Sequence, residues 1–284
     1  MKVFVTGVSG QLGFDVCRVL ETRGIDCRGV SSKELDITDK AAVERMLRDY
    51  APDAVIHCAA YTAVDKAEDE AERCWLVNAE GSANIAAACA ALECKMVYVS
   101  TDYVFSGEGE TPWEVTDAVS PRSVYGKTKL AGELAVQALT EKHFIVRTSW
   151  VFGKNGGNFV KTMLRLAETR EELSVVADQI GSPTYTADLA PLLCDMVETE
   201  RYGVYHAANE GLCSWADFAA AIFRAAGKGT RVRPITTAEY PAKAKRPQNS
   251  RLSRRALDEA GFARLPGWED ALARYLREIG VTAF

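Results

Sequence analysis

Lys2-Val3-Phe4-Val5-Thr6-Gly7-Val8-Ser9-Gly10-Gln11-Leu12-Gly13 decides the fold. A short apolar run ends in three evenly spaced glycines, and an amphipathic stretch from Asp15 to Arg23 follows. Between a strand and a helix, glycine permits a tight turn, close approach of the backbone to a pyrophosphate, and close packing of helix on sheet. The free N–H groups at the helix start then attract the anion. The spacing is Gly-x-x-Gly-x-x-Gly, not Gly-x-Gly-x-x-Gly. Glycines alone mark only a turn. Their place at residue 7, after a strand and before a helix, selects the nucleotide reading and makes Gly7, Gly10, Gln11, Leu12 and Gly13 candidates to bind it.

Outward from this stretch, strand and helix patterns alternate. Strands are expected at Asp26 to Val30, Ala54 to Cys58, Met96 to Ser100 and Phe144 to Thr148. Helices are expected at Lys40 to Asp49, Glu68 to Leu92 and Ser123 to Leu139. Nearly continuous apolar strands between helices argue an α/β fold: a Rossmann-type, doubly wound parallel sheet with right-handed crossovers. After Gly153 the pattern loosens into shorter elements, with helices expected at Ala187 to Glu198 and Pro266 to Glu278 among others. Residues 1–153 are therefore expected to form the NADP(H)-binding core, and 154–284 mainly a smaller C-terminal substrate-binding lobe with some segments returning to the core. In such sheets ligands bind beyond the carboxyl ends of the strands. Leu35-Asp36-Ile37, Ala59-Ala60-Tyr61 and Ser100-Thr101-Asp102 all fall there.

Tyr125 and Lys129 stand four apart in a helix, on one face and separated by ~6 Å of rise. A free phenol loses its proton near ~10, and a neighbouring ammonium lowers that value, so the pair reads as a tuned acid with Thr101 adding a hydroxyl to the same substrate oxygen. The alternative is a tyrosine packed on the core beside a snorkelling lysine.

At the end of the second strand Arg28, Ser31, Ser32 and Lys33 precede any acid, an arrangement suited to a 2′-phosphate. NADPH is expected, with NADH the alternative. Asp36 reads either as a contact to the adenine or as a loop carboxylate. Trp150, at a strand's carboxyl end, reads equally as an apolar wall of the site or as core. Arg246-Pro247-Gln248-Asn249-Ser250-Arg251 offers cations and amides to a diphosphate. Gly107 to Pro121 is a polar loop long enough to reach over a site.

With 284 residues, 48% hydrophobic, 26% charged and a net charge of -5, the chain has no electrostatic footprint for nucleic acid or an anionic membrane. No apolar run approaches the ~20 residues of a membrane span, and a cytoplasmic location is expected. Eight cysteines without a CxxC pair read as small buried hydrophobes, and His57 and His206 as core.

Taken together, Val5 to Gly13, Ala59 to Glu68, Ser100-Thr101-Asp102-Tyr103-Val104-Phe105, Val124 to Glu133, Arg147 to Val151, Asp178-Gln179 with Gly181 to Thr184, and Arg246-Pro247 with Asn249 to Leu252 resemble the extended short-chain dehydrogenase/reductases. Within them the run resembles the dTDP-4-dehydrorhamnose reductase family along nearly the whole chain. The resemblance implies that Tyr125 donates a proton and that Lys129 binds the nicotinamide ribose. It places Gly10, Gln11, Leu12, Asp36, Ile37, Ala59, Ala60 and Tyr61 along the dinucleotide. Thr62, Thr101, Asp102, Tyr103 and Trp150 fall near a sugar nucleotide, whose C4 receives the hydride. Some members are thought to hold magnesium at a homodimer contact through glutamates, one in the first helix. Asp15 stands there in this chain, and no further ligand is evident. Two alternatives are carried forward: a non-catalytic NADP-binding subunit similar to the regulatory subunit of methionine adenosyltransferase, and another nucleotide-sugar reductase or epimerase.

Overall fold

The computed structural model describes residues 1–281. Six parallel strands form the central sheet: β1 (Lys2–Thr6), β2 (Asp26–Val30), β3 (Ala54–His57), β4 (Lys95–Thr101), β5 (His143–Thr148) and β6 (Gly203–His206), in the spatial order β6-β5-β4-β3-β1-β2. Val3, Phe4, Val5 and all of β3 are buried, as strands covered on both faces must be. The chain leaves β1 for β2 on one side and returns to β3 on the other, which opens a crevice at their carboxyl ends.

Helix α1 (Gln11–Thr22) starts four residues earlier than the apolar pattern suggests, because Gly10 already has the extended backbone of a helix cap. Its buried Leu12, Val16 and Leu20 share a core cluster with Leu189, Leu193 and Met196, far later in the chain. The alanine-rich stretch is not one helix from Glu68 to Leu92. It breaks into Val64–Ala67, Ala71–Trp75, a π-helical turn Leu76–Glu80, and α3 (Gly81–Ala91), after α2 (Lys40–Tyr50). The wide turn aims Asn78 at the loop after β3, where its amide clasps both backbone groups of Tyr61 at 2.7 and 3.1 Å.

Helix α4 (Val124–Leu139) is capped by the Ser123 hydroxyl, which accepts the Gly126 N–H at 3.1 Å, while Glu68 accepts the Val124 N–H at 2.9 Å. Beyond β5, helix α5 (Thr186–Val197) returns to pack on α1, and β6 joins the main sheet. The remaining C-terminal segments build a second core around Phe152, Tyr185, Phe218 and Tyr275, with α6 (Trp215–Ala225) and α7 (Trp268–Glu278). The last helix is two residues shorter than expected because Leu265–Gly267 pairs as a strand with Asn209–Glu210. Arg231–Ile235, where the sequence pattern predicts no element, pairs in parallel with Glu172–Val176, and Pro234 weakens its strand signal in the sequence.

Five cysteines are buried and three are half-buried. Among the described residues no helix is long and apolar enough to cross a membrane.

One buried ion pair ties α4 to the sheet: Glu133 accepts from the Arg147 guanidinium at 2.8 Å, and both side chains are nearly inaccessible. Replacing Glu133 with Gln leaves the Arg147 charge buried without its partner, and a loss of about 3–5 kcal/mol is expected in urea unfolding. A loss below about 1 kcal/mol would mean that α4 is anchored by other contacts.

Candidate active site

A continuous cavity of about 690 Å³ lies at the carboxyl ends of β1, β3, β4 and β5. Gly7 turns the chain with φ of 74°, and a Cβ there would stand 2.7 Å from the Ala59 nitrogen. A Cβ on Gly13 would meet the Gly7 carbonyl oxygen at 2.6 Å, so the glycines seat α1 directly on the turn. The turn is braced from outside. Gln11 Oε1 accepts the Gly153 N–H at 2.8 Å and the Asn158 amide at 3.0 Å, and Asn155 donates to the Ser9 carbonyl at 2.9 Å. Neither asparagine stands out in sequence, since both lie in a turn-rich stretch far from the glycines.

Gly7, Gly10, Gln11, Leu12, Gly13, Asp36, Ile37, Ala59 and Ala60 all line the cavity. The Asp36 carboxylate accepts the Thr38 N–H and hydroxyl at 2.9 and 2.8 Å, which hold it below the usual carboxylate range. Ser31 and Ser32 line the same end. Arg28 and Lys33 do not: both are exposed, and the Arg28 guanidinium lies 5.9 Å from the Tyr50 ring centre. Tyr61 is also outside the lining, because its hydroxyl turns away to Glu70 at 2.8 Å. The hydroxyls of Ser100 and Thr148, both lining residues, are buried and have no hydrogen-bond partner among the described residues. An elongated cavity with a glycine cradle at one end and unsatisfied hydroxyls within fits a bound dinucleotide.

Thr101, Asp102, Tyr103, Tyr125 and Lys129 meet in the cavity, with Thr62 beside them. The Thr101 hydroxyl donates to Asp102 Oδ1 at 3.0 Å, and the Tyr103 ring packs edge-on against Tyr125 with centres 5.4 Å apart. Burial pushes the Tyr125 phenol above its ordinary range, while a hydrogen bond with Thr101 acts in the opposite direction. The expected tuning by lysine is therefore not what dominates the phenol. The Lys129 ammonium instead sits 4.0 Å from the centre of the Tyr98 ring, a cation–π contact on the sheet side of the helix. Burial pulls Lys129 down to about 7 against the opposing charge of Glu133.

Asp102 is pushed up to about 6 by burial, opposed by hydrogen bonds from Ser250 and Thr101. Ser250, 148 residues away in sequence, donates to its other oxygen at 2.5 Å. His57 is core, as expected: it bonds Thr6 at 2.7 Å and Ser82 at 3.1 Å, and burial together with the Lys129 charge holds it down at about 3, hence neutral. His206 is buried too.

Trp150 is a wall of the cavity and is held in place by packing. It has φ of 51°, in the left-handed region, and stacks on Trp215 with ring centres 3.8 Å apart. A bulky residue persists there only where its surroundings compel it. Arg246 lies outside this cavity, in a second one of about 390 Å³ lined also by Tyr240, Lys243, Lys245 and Gln248. The polar loop from Gly107 does not cover the main cavity. It is clamped to the C-terminal segment, with Trp113 N–H donating to the Arg251 carbonyl at 2.9 Å and Gln248 N–H to that of Gly107 at 3.0 Å.

Asp15 is buried, its carboxylate accepting from Thr186 at 2.5 Å and from Arg18 at 3.2 Å. Arg18 also bonds Glu278 at 2.9 Å. A guanidinium thus stands between the two acids, and the residues do not fit a magnesium ion.

A nucleotide crevice at the sheet's switch point, with threonine, tyrosine and lysine gathered beyond β4, defines the extended short-chain dehydrogenase/reductase class. Residues 1–281 match the family model described as the RmlD substrate binding domain. Among similar proteins, the spore coat polysaccharide biosynthesis protein SpsK of Bacillus subtilis is 44% identical over 98% of this chain and 97% of its own. The dTDP-4-dehydrorhamnose reductase of Mycolicibacterium smegmatis is 44% identical over 95% of this chain and 84% of its own. A crystal structure of the dTDP-4-dehydrorhamnose reductase of Bacillus anthracis in complex with NADP is 45% identical, with a TM-score of 0.95 over 98% of this chain and 100% of that one. The chain belongs to the dTDP-4-dehydrorhamnose reductase family, whose members are NAD(P)H-dependent oxidoreductases.

The position of Lys129 has a measurable consequence. It loses its proton at about 7 in the folded chain, against an ordinary value near ~10.4. Between those limits the unfolded chain holds the extra proton, so the contribution of Lys129 to stability rises as pH climbs from about 7 towards 10. Urea unfolding at pH 6.5 and pH 9 is expected to show that rise in the wild type relative to Lys129→Met. Parallel profiles would place the lysine's pKa near its ordinary value.

Proposed function

We propose that the chain reduces dTDP-4-dehydro-L-rhamnose to dTDP-L-rhamnose with NADPH, NADH being the alternative donor. The observation that carries this reading is the convergence of Thr101 and Tyr125 on one point of the cavity, beside buried Lys129. The glycine turn, Ser31, Asp36, Ile37, Ala59 and Ala60 would hold the dinucleotide, with Lys129 at its nicotinamide ribose. When bound, the nicotinamide supplies hydride to C4 of the sugar.

The protein's own part is to hold the keto group and deliver a proton. Tyr125, and Thr101 once its hydroxyl turns from Asp102 to the substrate, donate hydrogen bonds to the carbonyl oxygen, and these bonds strengthen as negative charge forms on it. A phenol held above its ordinary pKa is fully protonated at neutral pH, so Tyr125 enters the reaction as an acid. The growing alkoxide is the stronger base and takes that proton. Asp102 orients the sugar hydroxyls while its second oxygen is fixed by Ser250. Trp150 supplies an apolar face against the ring. In this reading residues 1–153 hold the cofactor and the acid, and 154–284 mainly position the substrate.

Mixing the protein with NADPH and dTDP-4-dehydro-L-rhamnose is expected to bleach the nicotinamide absorbance. Tyr125→Phe should lower kcat by about 10²–10⁴-fold and leave NADPH affinity within a few fold. Wild type that binds NADPH and never oxidises it would end the reductase reading.

A further inference from the structure

Cys17 of α1 and Cys27 of β2 are free thiols whose sulfurs share a hydrogen bond at 3.6 Å. Both are half-buried, and β2 is an edge strand of the main sheet, so a small solute reaches the pair from the solvent side. A second pair, Cys89 and Cys94, also lies within hydrogen-bonding reach, but both of its members are buried. The bond between the first two holds Cys27 below the ordinary thiol range and Cys17 above it, burial adding to the rise of Cys17. The thiol that ionises more readily is the one an oxidant attacks first.

This pair sits behind the glycine turn. A Cβ on Gly29 would stand 2.8 Å from the Cys17 sulfur and 2.7 Å from Val8 Cγ1, so α1, β2 and the turn meet where no space is spare. The N–H groups of Gly7 and Val8 both donate to the Val30 carbonyl, at 2.9 and 3.3 Å, and Gly7, Ser9, Gly10 and Val30 line the main cavity. A disulfide holds its sulfurs ~2 Å apart, so closing the bond draws these two together by about 1.5 Å. Where packing is this tight, α1 and the turn seated on it absorb part of that movement.

We propose that Cys17 and Cys27 form a reversible oxidation site, which a peroxide closes to a disulfide and which thereby loosens the bound dinucleotide. The Cys27 thiolate attacks one peroxide oxygen and the O–O bond breaks. The leaving oxygen takes up the proton that Cys27 released and departs as water, leaving a sulfenic acid on Cys27. The Cys17 sulfur then attacks that sulfur, the S–O bond breaks, and the oxygen leaves as a second water with the Cys17 proton. Two thiols lose two electrons and two protons, and the peroxide is reduced to two waters. Cys58 and Cys194 belong to the same apolar cluster and take no part, since burial pushes both thiols up to about 12. This inference rests on the reading that the main cavity holds a dinucleotide, and it is independent of which sugar is reduced.

The test treats the full chain with hydrogen peroxide, blocks the remaining thiols, and maps linked peptides by mass spectrometry. NADPH affinity is measured by fluorescence titration before oxidation, after it, and again after dithiothreitol, in the wild type, Cys17→Ser and Cys27→Ser. The wild type is expected to lose two hydrogens in mass, to yield a peptide joining Cys17 to Cys27, and to bind NADPH about 10-fold more weakly until dithiothreitol restores it. Both variants are expected to bind NADPH like the reduced wild type, to form no link, and to keep that affinity through peroxide treatment. Cys27→Ser, on the edge strand, and the mapping of the wild type keep the test decisive should Cys17→Ser disturb α1. Peroxide that links Cys89 to Cys94, links through Cys58, or leaves Cys17 and Cys27 unjoined would overturn the proposal, as would a Cys17–Cys27 link with unchanged NADPH affinity. Each of those results leaves the dinucleotide reading standing. Reduced wild type that fails to bind NADPH would remove that reading, and the proposal with it.

Discussion

The buried pair of Glu133 and Arg147 is the constraint on which the catalytic face depends. Tyr125, Lys129 and Glu133 follow one another at four-residue spacing on α4, so the carboxylate that grips β5 also fixes the rotation of the helix bearing the acid. Arg147 extends the same grip, lying 5.0 Å from the centre of the Phe105 ring, which stacks on Trp113 at 4.7 Å. The loop after β4 and the C-terminal segment at Leu252 close around that stack. Two charges removed from water are costly unless well paired, and here the bidentate geometry offsets that cost while permitting only one seating of α4.

Coupling between the central sheet and the C-terminal segments runs through individual polar contacts. Gln11 at the glycine turn reaches Gly153 and Asn158, Thr186 reaches Asp15, and Ser250 reaches Asp102. Each bond spans more than a hundred residues of chain and ends at or beside the cavity. The strained backbone of Trp150 belongs to the same coupling. Gly181 and Trp215 pack against its indole, and a Cβ on Gly181 would stand 3.0 Å from that ring. The tryptophan wall is thus set by residues of the C-terminal segments, though the residue itself follows β5 of the central sheet.

Burial, more than any neighbouring charge, tunes four ionisable groups at and beneath the catalytic end of the cavity. It raises Tyr125 and Asp102, lowers Lys129 and His57, and in each case favours the uncharged form. The pairing of Tyr125 with Lys129 on one helix face was legible from their spacing. The direction of the lysine side chain was not, because it depends on Tyr98 from β4 presenting its ring beneath the helix.

Local pattern in the chain was enough to determine the alternating α/β order, the glycine turn at residue 7, the carboxyl-end location of the site, and the residue types that could act as acid and hydroxyl donor. These follow from periodicity and from backbone geometry over a few residues, which a sequence states directly. Tertiary structure alone decided that Tyr61 turns away to Glu70, that Arg28 and Lys33 stay outside the cavity, that Arg246 serves a second one, and that Arg18 stands between Asp15 and Glu278. The physical reason is common to all of them. Which way a side chain points, and whether its charge is answered, is set by partners brought close only by the folded chain.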